Sequence, residues 1–485
     1  MFNKYFRTPL KKILSAFLHT LEKTESLQTL RGQEKSIWNK EINLPPVLVA
    51  FLCILVFFIV LLFAVGFSFA KIAALVILLT LIVSFILFYL FADNRDFLAD
   101  ADGVMLLGFL FIVAALLMQL FKNWNASLAT PIAGFAVLFG MLLSRRIALL
   151  SAALLSIIMG IINSFSMEYF LVSIFGSLAG IVLVDKIRTR NDITKLGIKI
   201  ALVNIVVITA IHLFFLWPIH TYEMNCLWGA LNGFASAITV LAFLPYLESF
   251  FSKTTKIKLL ELADFNQPLL RRLMLEAPGT YHHSLMVASI AEQAAEAIGA
   301  NSLLARVGSY YHDIGKLAKP EYFIENANKS QNPHDLLSAT MSSLVIISHI
   351  KDGLALAQKH KLDKIITDLI VQHHGTSLVR FFYHRALEQD EQANLENFRY
   401  KGIKPQTKVA AILMLADSVE AASRSLEDYS PGKLKDIVET IVNNKFTDGQ
   451  FSQCPITLQD LHNISQSMLV SLSGIYHTRI SYEKD

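Results

Sequence analysis

From residue 47 to residue 247 the chain runs through long apolar stretches broken only by short polar connectors, and after residue 251 that pattern stops. The stretches 47–65, 72–92, 104–121, 127–144, 147–163, 169–184, 200–217 and 226–247 are each close to the length a helix needs to cross about 30 Å of hydrocarbon. They predict a transmembrane region of about eight helices over 47–248. Ahead of them Leu10, Ile13, Leu14, Phe17, Leu18 and Leu21 recur at spacings of three and four, with Lys11, Lys12 and Lys23 elsewhere on the turn. This predicts an amphipathic helix in a basic cytosolic tail, 1–46, lying on the inner leaflet or packed against the soluble part.

From about Lys256 the apolar positions keep a helical period, opening with Leu259, Leu260, Leu262, Leu269, Leu270, Leu273 and Met274, and alternating β-type runs are almost absent. Pro268, Pro278, Pro320, Pro333, Pro405, Pro431 and Pro455 punctuate the segment into helices of ordinary length. The expected fold class is all-α: a polytopic transmembrane helix bundle followed by a cytosolic all-helical domain over 256–485.

Composition agrees. The 485 residues are 54% hydrophobic and 17% charged, against about 45–50% and about 25% in ordinary globular domains. That excludes a disordered chain and an ordinary soluble enzyme. The net charge of +4 is too small to suggest a nucleic-acid polymer as partner. The basic residues instead set topology. With the N-terminus in the cytoplasm, sixteen Lys and Arg fall inside, among them Arg95, Arg145, Arg146, Lys186, Arg188 and Arg190, and only Lys71 and Lys122 fall outside. This is the positive-inside pattern, and an even number of spans returns the chain to the cytoplasm before Lys253. A multi-pass protein of the inner cytoplasmic membrane, both termini cytoplasmic, is expected. No span carries an acid or base at its centre; His212 and Asn204 are its notable polar residues, and they suit bonds between helices better than transport.

The chemistry lies in the soluble half. His282, His283, His312, His334, His349, His360, His373, His374 and His384 fall within about a hundred residues, several beside carboxylates. Packing alone does not call for so many imidazoles. Cys53, Cys226 and Cys454 are scattered, so metal chemistry must come from histidine and carboxylate, donors that suit Mn, Fe, Zn and Ni.

The order of elements is more specific. HHS at 282–284, HDIGK at 312–316, His349, HHGT at 373–376 and Asp417 in LADSVEAASRS resemble the HD superfamily of metal phosphohydrolases. The stretches ELADFNQPLLRRLMLEAPGTYHHSL, YYHDIGKL, KPEYFIEN and VQHHGTSLVRFFYHRA look like the bacterial 7TM-HD family of membrane phosphodiesterases acting on cyclic di-AMP. This resemblance implies two divalent ions, Mn or Fe foremost. His283, His312, Asp313 and Asp417 would surround one, His349, His373 and His374 the other, with Asp313 bridging both. It also implies catalytic roles for Asp313 and Lys316 and substrate contacts from His282, Arg399, Tyr400 and Lys404, with Glu420 and Arg424 supporting Asp417.

Two features depart from that family. Its members carry a large outer sensor domain after the first span, whereas here residues 66–71 (GFSFAK) join the first span to the second. The connector FRYKGIKPQTKV lacks two prolines of the family pattern, and Val409 stands for a carboxylate. The expected activity is hydrolysis of cyclic di-AMP to 5′-pApA, lowering the level of a second messenger. An HD enzyme acting on cyclic di-GMP or ppGpp, and a catalytically silent nucleotide-binding receptor, are the alternatives. The expected partners are the dinucleotide and the bilayer, and a homodimer is left open.

Overall fold

The computed structural model describes residues 46–476 apart from 67, 94–96, 98–99, 328–331, 390–392 and 427. The expected amphipathic helix of the tail, and Arg95, lie outside the described residues. Within them the fold is all-helical; its extended pairing is one isolated antiparallel bridge, Leu378 to Arg399.

The membrane half comprises α1 (Pro46–Val65), α2 (Phe69–Asp93), α3 (Ala101–Asn123), α4 (Ile132–Leu142), α5 (Arg145–Ile162), α6 (Met167–Leu183), α7 (Arg190–Phe215) and α8 (Ile219–Phe250). Seven of these are long and apolar enough to cross a membrane. The fourth expected span, 127–144, is different: a 3₁₀ turn at Ser127–Ala129 precedes α4, which has eleven residues and so a length of about 16 Å. Hydropathy alone overstates it because Thr130-Pro131 breaks the helix, and almost the whole of it is buried inside the bundle.

The break is sealed by side chains. Asn232 on α8 donates to the carbonyls of Leu128 (2.9 Å) and Thr130 (2.5 Å) and accepts from Asn204 on α7 (3.1 Å). Irregular backbone at membrane depth needs such partners, since lipid offers none. Asn204 also donates to Gly229 O, while His212 stacks on Tyr222 at 4.4 Å. Close packing of α7 on α8 depends on small residues: a Cβ on Gly233 would stand 2.4 Å from the Gly197 carbonyl.

The soluble half comprises α9 (Lys256–Leu262), α10 (Pro268–Glu276), α11 (Pro278–Ala297), α12 (Ser302–Tyr311), α13 (Ala339–Lys359), α14 (Lys364–Gln372), α15 (Arg380–Gln389), α16 (Lys408–Ser423), α17 (Pro431–Thr447) and α18 (Leu458–Ile475). Its core is built around α16, buried on nearly all sides from Val409 to Glu420. Val409 therefore fills an apolar position.

The halves meet tightly. Phe251 and Ile257 pack into the bundle's core and Leu259 and Leu262 into the soluble one. Arg190 pairs with Glu261 (2.8 Å) and Lys253 with Asp100 (2.5 Å), and Thr254 donates to Asp363 (2.8 Å), the residue that opens α14. Lys122 lies at the opposite end of the bundle, donating to Ile162 O at 2.6 Å.

Candidate metal centre

Five helices aim side chains at one point, two of them from their C-terminal ends. Neighbours on a regular helix diverge by about 100°, so His312 and Asp313 converge only because α12 ends there and passes into a 3₁₀ turn, Ile314–Ala318. His373 and His374 follow the end of α14, where Gly375, with φ +52°, turns the chain away. His283 comes from α11, His349 from α13 and Asp417 from α16. His283, His312, Asp313, His349, His373 and Asp417 are buried.

Two groups result. His283, His312, Asp313 and Asp417 present donor atoms within 4.8 Å of one another, and so do His349, His373 and His374. Asp313 faces both. Its Oδ2 lies 3.1 Å from His312 Nε2 and 3.5 Å from His283 Nε2, while Oδ1 lies 3.5 Å from His349 Nε2 and 3.7 Å from His373 Nε2. Asp417 divides likewise, with Oδ1 3.1 Å from His283 and Oδ2 3.5 Å from His374.

The surroundings fix which ring nitrogen points inward. His312, His349 and His373 each set Nδ1 against the carbonyl three residues earlier, of Ser309 (2.7 Å), Ile346 (2.6 Å) and Ile370 (2.8 Å). Nδ1 donates in those contacts, which turns Nε2 of each ring toward the cluster. His283 Nδ1 is held by Glu420 at 2.5 Å, and Glu420 in turn accepts from Arg424 Nε at 2.7 Å. Burial pushes His349 down to about 4 and His374 well below the usual imidazole range, so both are neutral donors. Burial alone would raise Asp313, but His312 and Lys316 outweigh it and hold its carboxyl well below the usual range.

These residues fit divalent ions. His312 Nε2 and Asp313 Oδ1 are buried with no hydrogen-bond partner, a costly state that coordination relieves. Imidazole nitrogens and carboxylate oxygens in two adjoining groups are donors that suit divalent metal.

The other expected residues are placed differently. Lys316 is bound on both sides, to Asp313 (2.8 Å) and to Glu325 (2.6 Å), with the Phe323 ring beneath it. Its charge fixes Asp313 rather than standing free. His282 is exposed, on the helix face turned away from His283. Tyr400 is buried and stacks on His374 with ring centres 4.3 Å apart. Arg399 forks onto Asp448 (2.7 and 3.1 Å), and Lys404 donates to Gly449 O (2.9 Å). Both cations tie their connector to the loop after α17. Sequence reasoning missed Glu325, which also accepts from Thr280 (3.1 Å), and Gln450, which bonds Thr376 beside the second histidine pair. Glu325 stands in the stretch KPEYFIEN already singled out; Gln450 has no local signal.

Residues 69–255 match the family model described as a 7TM receptor with intracellular HD hydrolase, and residues 280–422 match that of the HD domain. The first match takes in the seven helices α2 to α8. Two curated relatives are cyclic-di-AMP phosphodiesterases named PgpH. That of Bacillus subtilis is 37% identical over 428 residues, 85% of this chain and 60% of the relative; that of Listeria monocytogenes is 35% identical over 389 residues, 79% and 54%. This chain thus spans about three fifths or less of their length. A crystal structure of the L. monocytogenes PgpH HD domain in complex with cyclic di-AMP is 47% identical, covering 44% of this chain and 100% of that one, with a TM-score of 0.43.

Proposed function

Because the chain belongs to the 7TM-HD family of membrane proteins, we propose that it is a metal-dependent phosphodiesterase that opens cyclic di-AMP to 5′-pApA. The observation that carries this reading is Asp313, one carboxylate oxygen toward each of two histidine groups.

In this reading His283, His312, Asp313 and Asp417 would hold one ion, and His349, His373 and His374, with the other oxygen of Asp313, a second. Two such ions, Mn or Fe, would supply an acidified water as nucleophile and neutralise the charge that builds on the phosphoryl oxygens. The protein's part is to fix the geometry. Glu420 orients His283, Lys316, itself held by Glu325, keeps Asp313 ionised, and Tyr400 forms a wall over His374. The domain 256–485 is the catalytic unit. It faces the cytosol, since Arg145, Arg190, Lys253 and Lys256 gather at its end of the bundle.

The test is turnover by the full chain in detergent, loaded with Mn²⁺ or Fe²⁺, offered cyclic di-AMP, cyclic di-GMP and ppGpp in parallel. Linear pApA from cyclic di-AMP, absent in Asp313→Ala, is the expected result. Preference for another nucleotide moves the substrate assignment. Binding without turnover at full metal occupancy favours a silent receptor.

A further inference from the structure

One cation beside the metal centre takes no part in the reading above. Lys445 stands in the last turn of α17, where a positive charge also suits the helix end. Its Nζ donates to the Ser377 hydroxyl at 2.8 Å. Ser377 is itself locked to the centre: its N–H donates to His374 O (3.0 Å), and its carbonyl accepts from Tyr400 N (2.9 Å), the residue stacked on His374.

Among the described residues no carboxylate lies within ion-pair distance of Lys445. The nearby acids are engaged elsewhere, Asp448 by Arg399 and Gln450, Asp417 by His283 and His374. Burial pushes Lys445 down to about 8 despite the attraction of Asp417 and Asp448, and Arg380 adds repulsion from its own side. A part-buried cation with one neutral hydrogen-bond partner is an unfavourable arrangement unless an anion completes it. Three other cations near the centre are already bound: Lys316 by two carboxylates, Arg399 by Asp448, Lys404 by a carbonyl.

A cyclic dinucleotide carries two phosphates, and the metal centre neutralises only the one being cleaved. We propose that Lys445, with Arg380 beside it, binds the second phosphate of the substrate, the one that is not cut. This rests on the dinucleotide reading above. It makes Lys445 a specificity residue, one that separates substrates with two phosphates from those with one.

The experiment compares wild type, Lys445→Ala and Lys445→Arg in the full Mn²⁺-loaded chain on two substrates, cyclic di-AMP and the single-phosphate diester bis(p-nitrophenyl) phosphate. Lys445→Ala is expected to raise KM for cyclic di-AMP by about 10- to 100-fold, the loss of one charged contact, with metal content unchanged. Its rate on the single-phosphate diester should match wild type, and Lys445→Arg should recover most of the affinity. An equal fall on both substrates overturns the proposal in favour of a structural role, and an unchanged KM overturns it outright. If wild type cleaves bis(p-nitrophenyl) phosphate but no cyclic dinucleotide, the substrate reading itself has failed, and this inference falls with it.

Discussion

The backbone of Gly315 runs so close to the carbonyl of His349 that a Cβ on Gly315 would stand 1.8 Å from that oxygen. The same Cβ would meet Gly353 N at 2.5 Å. The turn that follows Asp313 is therefore pressed directly against α13, and this contact sets the separation between the two histidine groups.

Gly315→Ala should be costly for that reason. Forcing the 3₁₀ turn off α13 is overpacking, worth about 1–3 kcal/mol, and it moves Asp313 away from His349. A lower melting temperature together with loss of bound metal is expected. A variant that melts like wild type would show that the two segments can separate freely.

Replacing Asp313 by Asn keeps the shape and removes the charge facing both groups. Turnover should fall by about 1000-fold or more, equivalent to about 4 kcal/mol in the barrier. Metal analysis of the purified variant should find both ions depleted; loss of one alone would refute the bridge.

Glu420→Gln acts one step further out. The carboxylate that holds His283 Nδ1 is gone while His283 remains, so metal affinity should drop by about 10- to 100-fold with the fold intact. Titration of the metal-free protein with Mn²⁺ measures this. Equal affinities would mean that the ring is held by its packing alone.

Removing metal should destabilise the soluble half more than the bundle. A ligand at 100 times its Kd contributes about 2.7 kcal/mol, so EDTA should lower the soluble half's unfolding transition, and Mn²⁺ should restore it. Calorimetry of the full chain in detergent, with and without EDTA, follows that transition.

In the membrane, Asn232→Leu removes the donors to Leu128 O and Thr130 O. Intramembrane hydrogen bonds average about 0.6 kcal/mol and reach about 1.7, so a loss of about 1–3 kcal/mol is expected, read from thermal unfolding in detergent. No change would mean that the break above α4 finds other partners.

The helical class was legible in the period of the apolar positions, and the gathering of His312, Asp313, His373 and His374 in the order of the motifs that carry the family resemblance. Other features were hidden by distance along the chain. The sequence offers Arg399 and Lys404 as substrate contacts and hides their own partners, since Asp448 and Gly449, which engage them, come more than forty residues later. Hydropathy registered 127–144 as an ordinary span because it counts apolar residues and is blind to a 3₁₀ turn and to burial on every side. Lys445 carries no motif at all; its meaning depends on Ser377, a neighbour in space alone.

The bond from Thr254 to Asp363 fastens the base of α14 to the end of the last membrane helix, and His373 and His374 follow directly at its tip. Nine residues of helix form a stiff rod about 13 Å long. Ile366, Leu369 and Ile370 of the same helix are buried in the soluble half's apolar core, so the rod that carries the two imidazoles is clamped along its length by that core and at its base by the exit of the membrane half.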